Sequence, residues 1–539
     1  MLAFSRRLIY TLSNKIRQRT GGYREEKYTV DFTKVKKSPF DIKAESSYNA
    51  YLSNGSFTLG LKKPNCIAWT NMPEHEFEDH VIEAKIQLES LGGYAAAGVV
   101  FHIEDDESYY MALVSGKGFF RLDVVKNNSP KTLIAWTDIP DFNGVNINMK
   151  IITYGYSMTF LVNGKWLGEI NDDSIEYGGL GFALASYETT AEEADEYTCK
   201  AHLNFISIDT RMKIVEQEFN KWTDDSNINA EGRLRFAETL AAMDEPVKAL
   251  EQITRAWKRR DEVIRTVSAT AAIRTKKELL FAARLSIRLG QFKEAEEYID
   301  SILDQWPGTA EGKMAYLEKI KILNELNKFK ELKQFVKKHS SKISKDVNYY
   351  AIMGKCYWEL KDYKESANAW DKAFELTKEI NSSADKNAYG GYIANAAKAH
   401  ELAGDKIKAL ARYIEAGKFF LNNDNIPDLA AVMPKLSALG ENNWEARSLA
   451  GKWAYSIEDY SRCAKEFEIA NKLRCALRPR PKADPALYYL WGMVYHIKGK
   501  RKTAVTLLKR AVKLAPDYKL FRVKLEELIS EDEDAAKCK

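Results

Sequence analysis

Residues 487–516 read LYYLWGMVYHIKGKRKTAVTLLKRAVKLAP, and their spacing decides how the second half of the chain folds. Counting from Gly492, Tyr495 follows at three residues, Ala504 at twelve, Leu508 at sixteen, Ala511 at nineteen and Pro516 at twenty-four. That periodicity predicts two amphipathic helices joined by a short turn. Small residues belong where the two helices press closest, large ones fill the gaps beside them, and proline ends the second helix. One such pair cannot bury its apolar face alone, so pairs must stack.

The pattern resembles the tetratricopeptide repeat, a pair of antiparallel helices about 34 residues long. Six more hairpins align upstream through Ala237/Ala249/Ala256, Ala283/Ala295 with Pro307, Ile320/Leu332, Gly354/Tyr357/Ala373, Ala397/Ala409/Ala416 and Gly451/Phe467/Ala470. Gly290-x-Phe292, Asp362-Tyr363 and Asp459-Tyr460 fall at the turns inside pairs. The spacing is irregular, and extra helices are expected near Thr266–Ala272 and Ile426–Leu439. Arg474–Pro485 reads as a proline-interrupted linker.

Ahead of this region the period is two. Ile82, Ala84, Ile86 and Leu88 alternate with Val81, Glu83, Lys85 and Gln87, as a half-buried strand requires. Further strands are expected at Ala97–Ile103, Tyr109–Val114, Phe119–Val125, Thr132–Trp136, Asn146–Thr153, Ser157–Val162, Leu180–Ser186 and Ala201–Ile208, with Asn163-Gly164 as the strongest hairpin signal. About a dozen strands in such a stretch predict a β-sandwich or jelly roll. The segments GVVFHIEDDESYYMALVSGKGFFRLDVV, NINMKIITYGYSMTFLVNGKWLGEI and GGLGFALASYE resemble the concanavalin A-like (laminin-G-like) jelly roll over roughly residues 60–210.

Charge divides the chain in the same way. Residues 1–24 hold six Lys/Arg and no acid. Residues 25–210 hold 15 Lys/Arg against 28 Asp/Glu, and residues 211–539 hold 60 against 48. The expected organisation is a basic amphipathic arm (1–24), a jelly roll (25–210), an irregular repeat solenoid (211–530) and a disordered tail (531–539). The fold class is multidomain, an all-β sandwich followed by an all-α superhelix.

In residues 1–24, Phe4, Leu8, Leu12 and Ile16 recur every four positions between basic residues. This reads as a solvated or docking arm, a membrane-surface anchor or an organelle presequence. No apolar run is long enough to span a bilayer. The six cysteines are scattered without a C-x-x-C pair, which suggests reduced thiols. The expected location is the cytoplasm, with peripheral membrane contact through residues 1–20 left open.

Motifs for chemistry are sparse. Glu104, Asp105, Asp106 and Glu107 lie at a predicted hairpin tip, where a solvated turn, a Ca²⁺ site and a catalytic pair all come into question. Their consecutive spacing is not that of glycosidase carboxylates, so the turn is preferred. His75 and His80 lack the H-E-x-x-H spacing, and His102 and His202 read as single strand histidines. No phosphate loop or G-x-S-x-G occurs. No catalytic residue, metal or cofactor is expected, nor is nucleic acid binding, because the basic excess is mild and the strand region is acidic.

Two binding surfaces are expected instead. Resemblance to the repeat family implies that the first helix of each pair lines a groove. Alignment places Arg284, Lys321, Lys355, Lys398 and Lys452 at one groove-facing position of five successive pairs, with Glu238 and Met493 at the ends. Such a ladder suits an acidic segment or the C-terminal carboxylate of a protein partner, and Trp358, Tyr455 and Tyr489 could add apolar anchors. Trp69, Trp136 and Trp166 are candidates for stacking on a glycan, as the jelly-roll resemblance allows. The sequence thus suggests a non-enzymatic adaptor or scaffold, with bacterial envelope or motility-machinery assembly as one setting. The alternative is a carbohydrate-binding or glycan-hydrolysing protein acting through the jelly roll.

Overall fold

Alternation of apolar and polar residues along the N-terminal strands produces two antiparallel sheets packed face to face. In Phe119–Lys126 (β9), buried Phe120, Leu122 and Val124 alternate with exposed or half-buried neighbours. The computed structural model describes residues 26–53, 55–90, 94–142, 144, 146–187, 197–223, 227–267, 274–379 and 386–537. The basic arm at 1–24 and part of the extra helix expected near 266–272 therefore lie outside the described residues.

Fifteen strands occur among the described residues. They are β1 (Lys27–Asp31), β2 (Lys43–Ala44), β3 (Tyr48–Ser53), β4 (Ser56–Leu61), β5 (Cys66–Phe77), β6 (His80–Ser90), β7 (Ala95–Asp105) and β8 (Ser108–Ser115), β9, then β10 (Ser129–Asp138), β11 (Asn146–Tyr154), β12 (Ser157–Val162), β13 (Lys165–Asn171), β14 (Gly178–Ser186) and β15 (Cys199–Asp209). One sheet has the order β13-β12-β11-β6-β15-β4-β3-β2, with β1 also paired to β15; the other has the order β10-β9-β8-β7-β14-β5. Phe57, Phe101, Tyr110, Phe120, Phe160 and Phe182 fill the space between them. This is the jelly-roll-like sandwich expected from the strand pattern. Turn chemistry sets the registers: Asn163 (φ 50°) and Gly164 (φ 75°) close β12–β13, and Asn127 (φ 49°) and Asn128 (φ 60°) close β9–β10.

From Met212 the chain is helical. The helices are α1 (Met212–Thr223), α2 (Ala230–Ala242), α3 (Pro246–Val267), α4 (Lys276–Arg288), α5 (Phe292–Gln305), α6 (Ala310–Glu325), α7 (Phe329–His339), α8 (Val347–Glu359) and α9 (Tyr363–Glu379), followed by α10 (Lys386–Leu402), α11 (Lys406–Asn422), α12 (Ile426–Leu439), α13 (Trp444–Ser456), α14 (Tyr460–Ala476), α15 (Pro485–Ile497), α16 (Arg501–Leu514) and α17 (Lys519–Lys537). Six of the predicted hairpins pack as pairs, α2/α3, α6/α7, α8/α9, α10/α11, α13/α14 and α15/α16, and α4 and α5 follow one another through a turn at Gly290 as the seventh requires. Side-chain oxygens of Asn229, Thr275, Thr309, Asp346, Asp405, Asn443, Asp459 and Asp484 cap helix N-termini. Every hairpin turns through one residue with positive φ: Asp244, Gly290, Asn327, Lys361, Gly404, Glu458 and Gly499. The predicted extra helix at Ile426–Leu439 is α12, started by Asn425 and Pro427.

The molecule divides into two compact units, residues 1–298 and 299–539. In the first unit, α1 covers one face of the larger sheet, where Val215 and Phe219 pack on Val81, Ile152 and Leu161. α2 lies against β10 and β13, the end strands of the two sheets. Phe236 meets the Trp166 ring edge-on at 5.5 Å, and a Cβ on Gly168 would stand 2.7 Å from it. Arg233, fully buried, lies over Trp166 and donates to Gln252 at 2.7 Å, while Glu169 pairs with Arg255. In the second unit, small residues seat large ones across each pair: a Cβ on Gly354 would meet Trp370 at 2.6 Å, and one on Gly451 would meet Phe467 at 2.5 Å.

Candidate partner-binding site

Successive helical residues point about 100° apart, so the residue after a buried small anchor turns away from the second helix of its pair. In the second unit this puts Lys321 after buried Ile320 on α6, Lys355 after Gly354 on α8, Lys398 after Ala397 on α10 and Lys452 after Gly451 on α13. These lysines occupy first helices of their pairs, as expected. Arg284 follows Ala283 on α4 in the first unit and is exposed. Trp358 and Tyr455 follow Lys355 and Lys452 by three residues and so share their helix faces.

The four lysines of the second unit are not equivalent. Lys321 is tied to Glu318 on its own helix at 3.0 Å, and Lys452 pairs with Asp484 at 2.7 Å. Lys355 and Lys398 are exposed and make no ion pair with any described residue; the Lys355 ammonium lies 6.0 Å from the Phe329 ring. The run of pairs is also interrupted, because α12 packs on α11 and α13 between the pairs that carry Lys398 and Lys452. The sequence shows the spacing of the basic residues but not their counter-ions, since Asp484 lies 32 positions after Lys452.

The aromatic candidates are half-buried. Trp358 meets Tyr363 edge-on at 5.5 Å, Tyr455 meets Tyr460 at 5.9 Å, and Tyr489 stacks on Phe521 at 4.6 Å. Trp358 and Tyr455 lie on the faces of Lys355 and Lys452, whereas Tyr489 is on α15, which carries Met493 in place of a lysine.

On the sandwich, strand parity sorts the tryptophans. Gly98, Gly181, Ala183 and Ala185 share one face of the smaller sheet, opposite the core that separates the sheets. Trp69 and Tyr109, 5.2 Å apart, and Trp136 with Tyr187, 5.8 Å apart, flank this strip of small residues. The Arg121 guanidinium lies 5.7 Å from Trp136 and grips Asp123, which also accepts from Thr132. Trp166 corrects the expectation of a third stacking ring. It is only 5% exposed and sealed under Phe236, so it offers no face to a sugar.

Glu104–Glu107 lie at the exposed tip between β7 and β8, where Asp105 accepts the Glu107 N–H. No group of three His, Cys, Asp or Glu side chains among the described residues could hold a metal ion. Burial pushes the thiol of Cys356 up to about 11 and that of Cys463 up to about 12, so neither is a thiolate at neutral pH.

Sequence reading missed one constellation. His80 and His102, separated in sequence and on different sheets, meet inside the sandwich with ring centres 5.2 Å apart. The Glu78 carbonyl accepts from His80 Nδ1 at 2.9 Å and faces His102 Nε2 at 3.1 Å, while His102 Nδ1 faces the Ile175 carbonyl at 3.1 Å. Tyr110 lies beside His102 and donates to Asp172. Burial lowers the His102 pKa to about 4 and holds His80 well below its ordinary value, with the neighbouring His102 adding to the latter. Both imidazoles are neutral at physiological pH.

Comparison with known proteins agrees with the helical reading. Residues 347–379 and 485–518 match the tetratricopeptide repeat family, and these are the α8/α9 and α15/α16 pairs. The chain is 24% identical, over 93% of its length, to a "TPR repeat-containing protein" of Treponema pallidum (strain Nichols), and spans 65% of that relative. Among solved structures, MamA from Desulfovibrio magneticus RS-1 is 15% identical with a TM-score of 0.29, covering 36% of this chain and 95% of its own. The carbohydrate-binding module CBM66 from Bacillus subtilis is 11% identical with a TM-score of 0.26, covering 32% and 97%. The chain joins a jelly-roll-like β-sandwich to an all-helical repeat region in which two helix pairs match the tetratricopeptide repeat, and that match supports a protein-interaction role.

Proposed function

We propose that the chain is a non-enzymatic adaptor that holds an acidic segment of a partner protein on the first helices of the second unit. The observation that carries this reading is the pair Lys355 and Lys398, exposed and without a carboxylate partner among the described residues, with Trp358 on the Lys355 face. A carboxylate-rich segment would supply the missing counter-ions, and a ring beside them would give an apolar anchor. Lys321 and Lys452 can join only by exchanging Glu318 and Asp484, so they contribute less.

The test uses the full chain as bait, beside a version with Lys355→Glu and Lys398→Glu. Partners held by the ladder are lost in the altered protein, and their retention in the original falls steeply as salt rises. Partners that survive both changes contradict the reading.

A second reading rests on the sandwich. Trp69 with Tyr109 and Trp136 with Tyr187 flank small residues, with Arg121 and Asp123 at hand, an arrangement that suits stacking and hydrogen bonding to a glycan. Glycan-array binding by the full-length protein that disappears in Trp136→Ala and Trp69→Ala supports it. An array with no signal removes it.

A further inference from the structure

The connection between α14 and α15 carries a concentration of positive charge that the fold leaves uncompensated. Residues 472–482 read KLRCALRPRPK, with five Lys/Arg and no acid. Arg474 is buried, and its guanidinium finds only uncharged partners: the Pro481 carbonyl at 2.9 Å, the Tyr488 hydroxyl at 3.2 Å, Asn471 at 3.4 Å and the Cys475 sulfur at 3.5 Å. This contact ties the far end of the loop to the helix that precedes it. Asp484 then closes the loop by capping α15, and its carboxylate is already engaged by Lys452.

Between these two fixed points the basic side chains project outward. Arg478, Arg480 and Lys482 are exposed, and none forms an ion pair with a described residue. One Arg478 nitrogen donates to the Cys475 and Leu477 carbonyls at 2.9 Å, which holds its guanidinium at the end of α14. The Arg510 guanidinium lies 4.5 Å from the ring of Tyr488, whose hydroxyl Arg474 contacts. Leu477, beside Arg478, is 45% exposed.

We propose that this loop docks the protein on a bilayer surface rich in anionic phosphate headgroups. Guanidinium forks match phosphate oxygens in pairs, and clustered basic residues are drawn to anionic lipid. The loop is poorly suited to a peptide strand, because Pro479 and Pro481 remove alternate backbone donors. A surface that is anionic everywhere needs no such register, and Leu477 can enter the headgroup boundary beside the charges.

The experiment is co-sedimentation of the full-length protein with vesicles of phosphatidylcholine alone or mixed with phosphatidylglycerol. It compares the original protein, a triple variant (Arg478→Ala, Arg480→Ala, Lys482→Ala), Leu477→Ser, and a Lys355→Ala/Lys398→Ala control. Binding is expected only to the mixed vesicles. The triple variant is expected to lose on the order of 100-fold in partitioning at low salt, and Leu477→Ser several-fold, with the lysine control nearly unchanged. Inorganic phosphate, matched in ionic strength with chloride, should displace the protein no better than chloride does. Equal binding by the triple variant overturns the proposal, as does equal loss in the lysine control. Specific displacement by phosphate would assign the loop to a free phosphate ligand. Loss of duplex DNA binding in the triple variant, with vesicle binding intact, would assign it to nucleic acid.

Discussion

The sandwich and the helical repeats place ionisable side chains in opposite ways. Strand alternation turns His80 inward, and a break in the β7 register at His102 (φ 48°) brings its ring in beside it, where both stay neutral. In the repeats, the position after each small anchor is turned outward, and Lys355 and Lys398 remain charged and exposed. Ionisable residues between the two sheets are therefore neutral, whereas those on the outward helix faces are available for binding. The difference follows from geometry: the space between two packed sheets is dry, whereas a helix of a stacked pair keeps one face open.

The largest expected effect tests how tightly the sandwich is built. A Cβ on Gly98 of β7 would stand 1.8 Å from the Ala112 carbonyl, which is backbone and cannot swing aside. Gly98→Val should cost about 3 kcal/mol or more, seen as lost amide-exchange protection in β7 and β8.

Next comes the buried imidazole pair. In the unfolded state His102 takes up a proton near pH 6.5, but in the folded state only near 4. The unfolded state therefore binds more protons across that window, and stability falls as pH drops from about 6.5 to 4. The loss amounts to about 3 kcal/mol for His102, at about 1.4 kcal/mol for each pKa unit, and His80 adds to it in the same direction. Denaturant titrations at several pH values should show this slope, and His102→Gln should flatten it. A slope unchanged in the variant would separate the acid sensitivity from this pair.

The smallest effect belongs to the hairpin turns. Gly, Asn and Asp take positive φ readily, but Lys361 (φ 60°) and Glu458 (φ 61°) adopt it at a cost. Lys361→Gly and Glu458→Gly should each stabilise the repeats by about 0.5–1 kcal/mol. Thermal denaturation would measure this.

Local signals in the sequence are legible where the structure depends on neighbours. Asn163-Gly164 specifies its turn, Asn425 and Pro427 announce α12, and small anchors such as Gly354 and Gly451 locate the helix pairs. Signals that depend on distant partners are not. Trp166 reads as available for stacking because Phe236, which covers it, lies 70 positions later. The His80–His102 contact joins two sheets through a sandwich interior that no periodicity reveals. Lysines at equal spacing look alike until Glu318 and Asp484 are found beside two of them. The position of α2 against β10 and β13 also means that cutting at residue 211 would strip helices from the sandwich and expose Trp166. Binding experiments on the repeats therefore need the full-length protein.

In the proposed function, partners meet the first helices of the second unit at Lys355 and Lys398. A photo-crosslinking amino acid placed in turn at positions 355, 398 and 372 of the full-length protein tests it most directly, since Lys372 lies on the second helix α9 and is already paired with Glu375. One common protein should be captured at 355 and 398 and none at 372. Capture at 372 alone, or equally at all three positions, would contradict it.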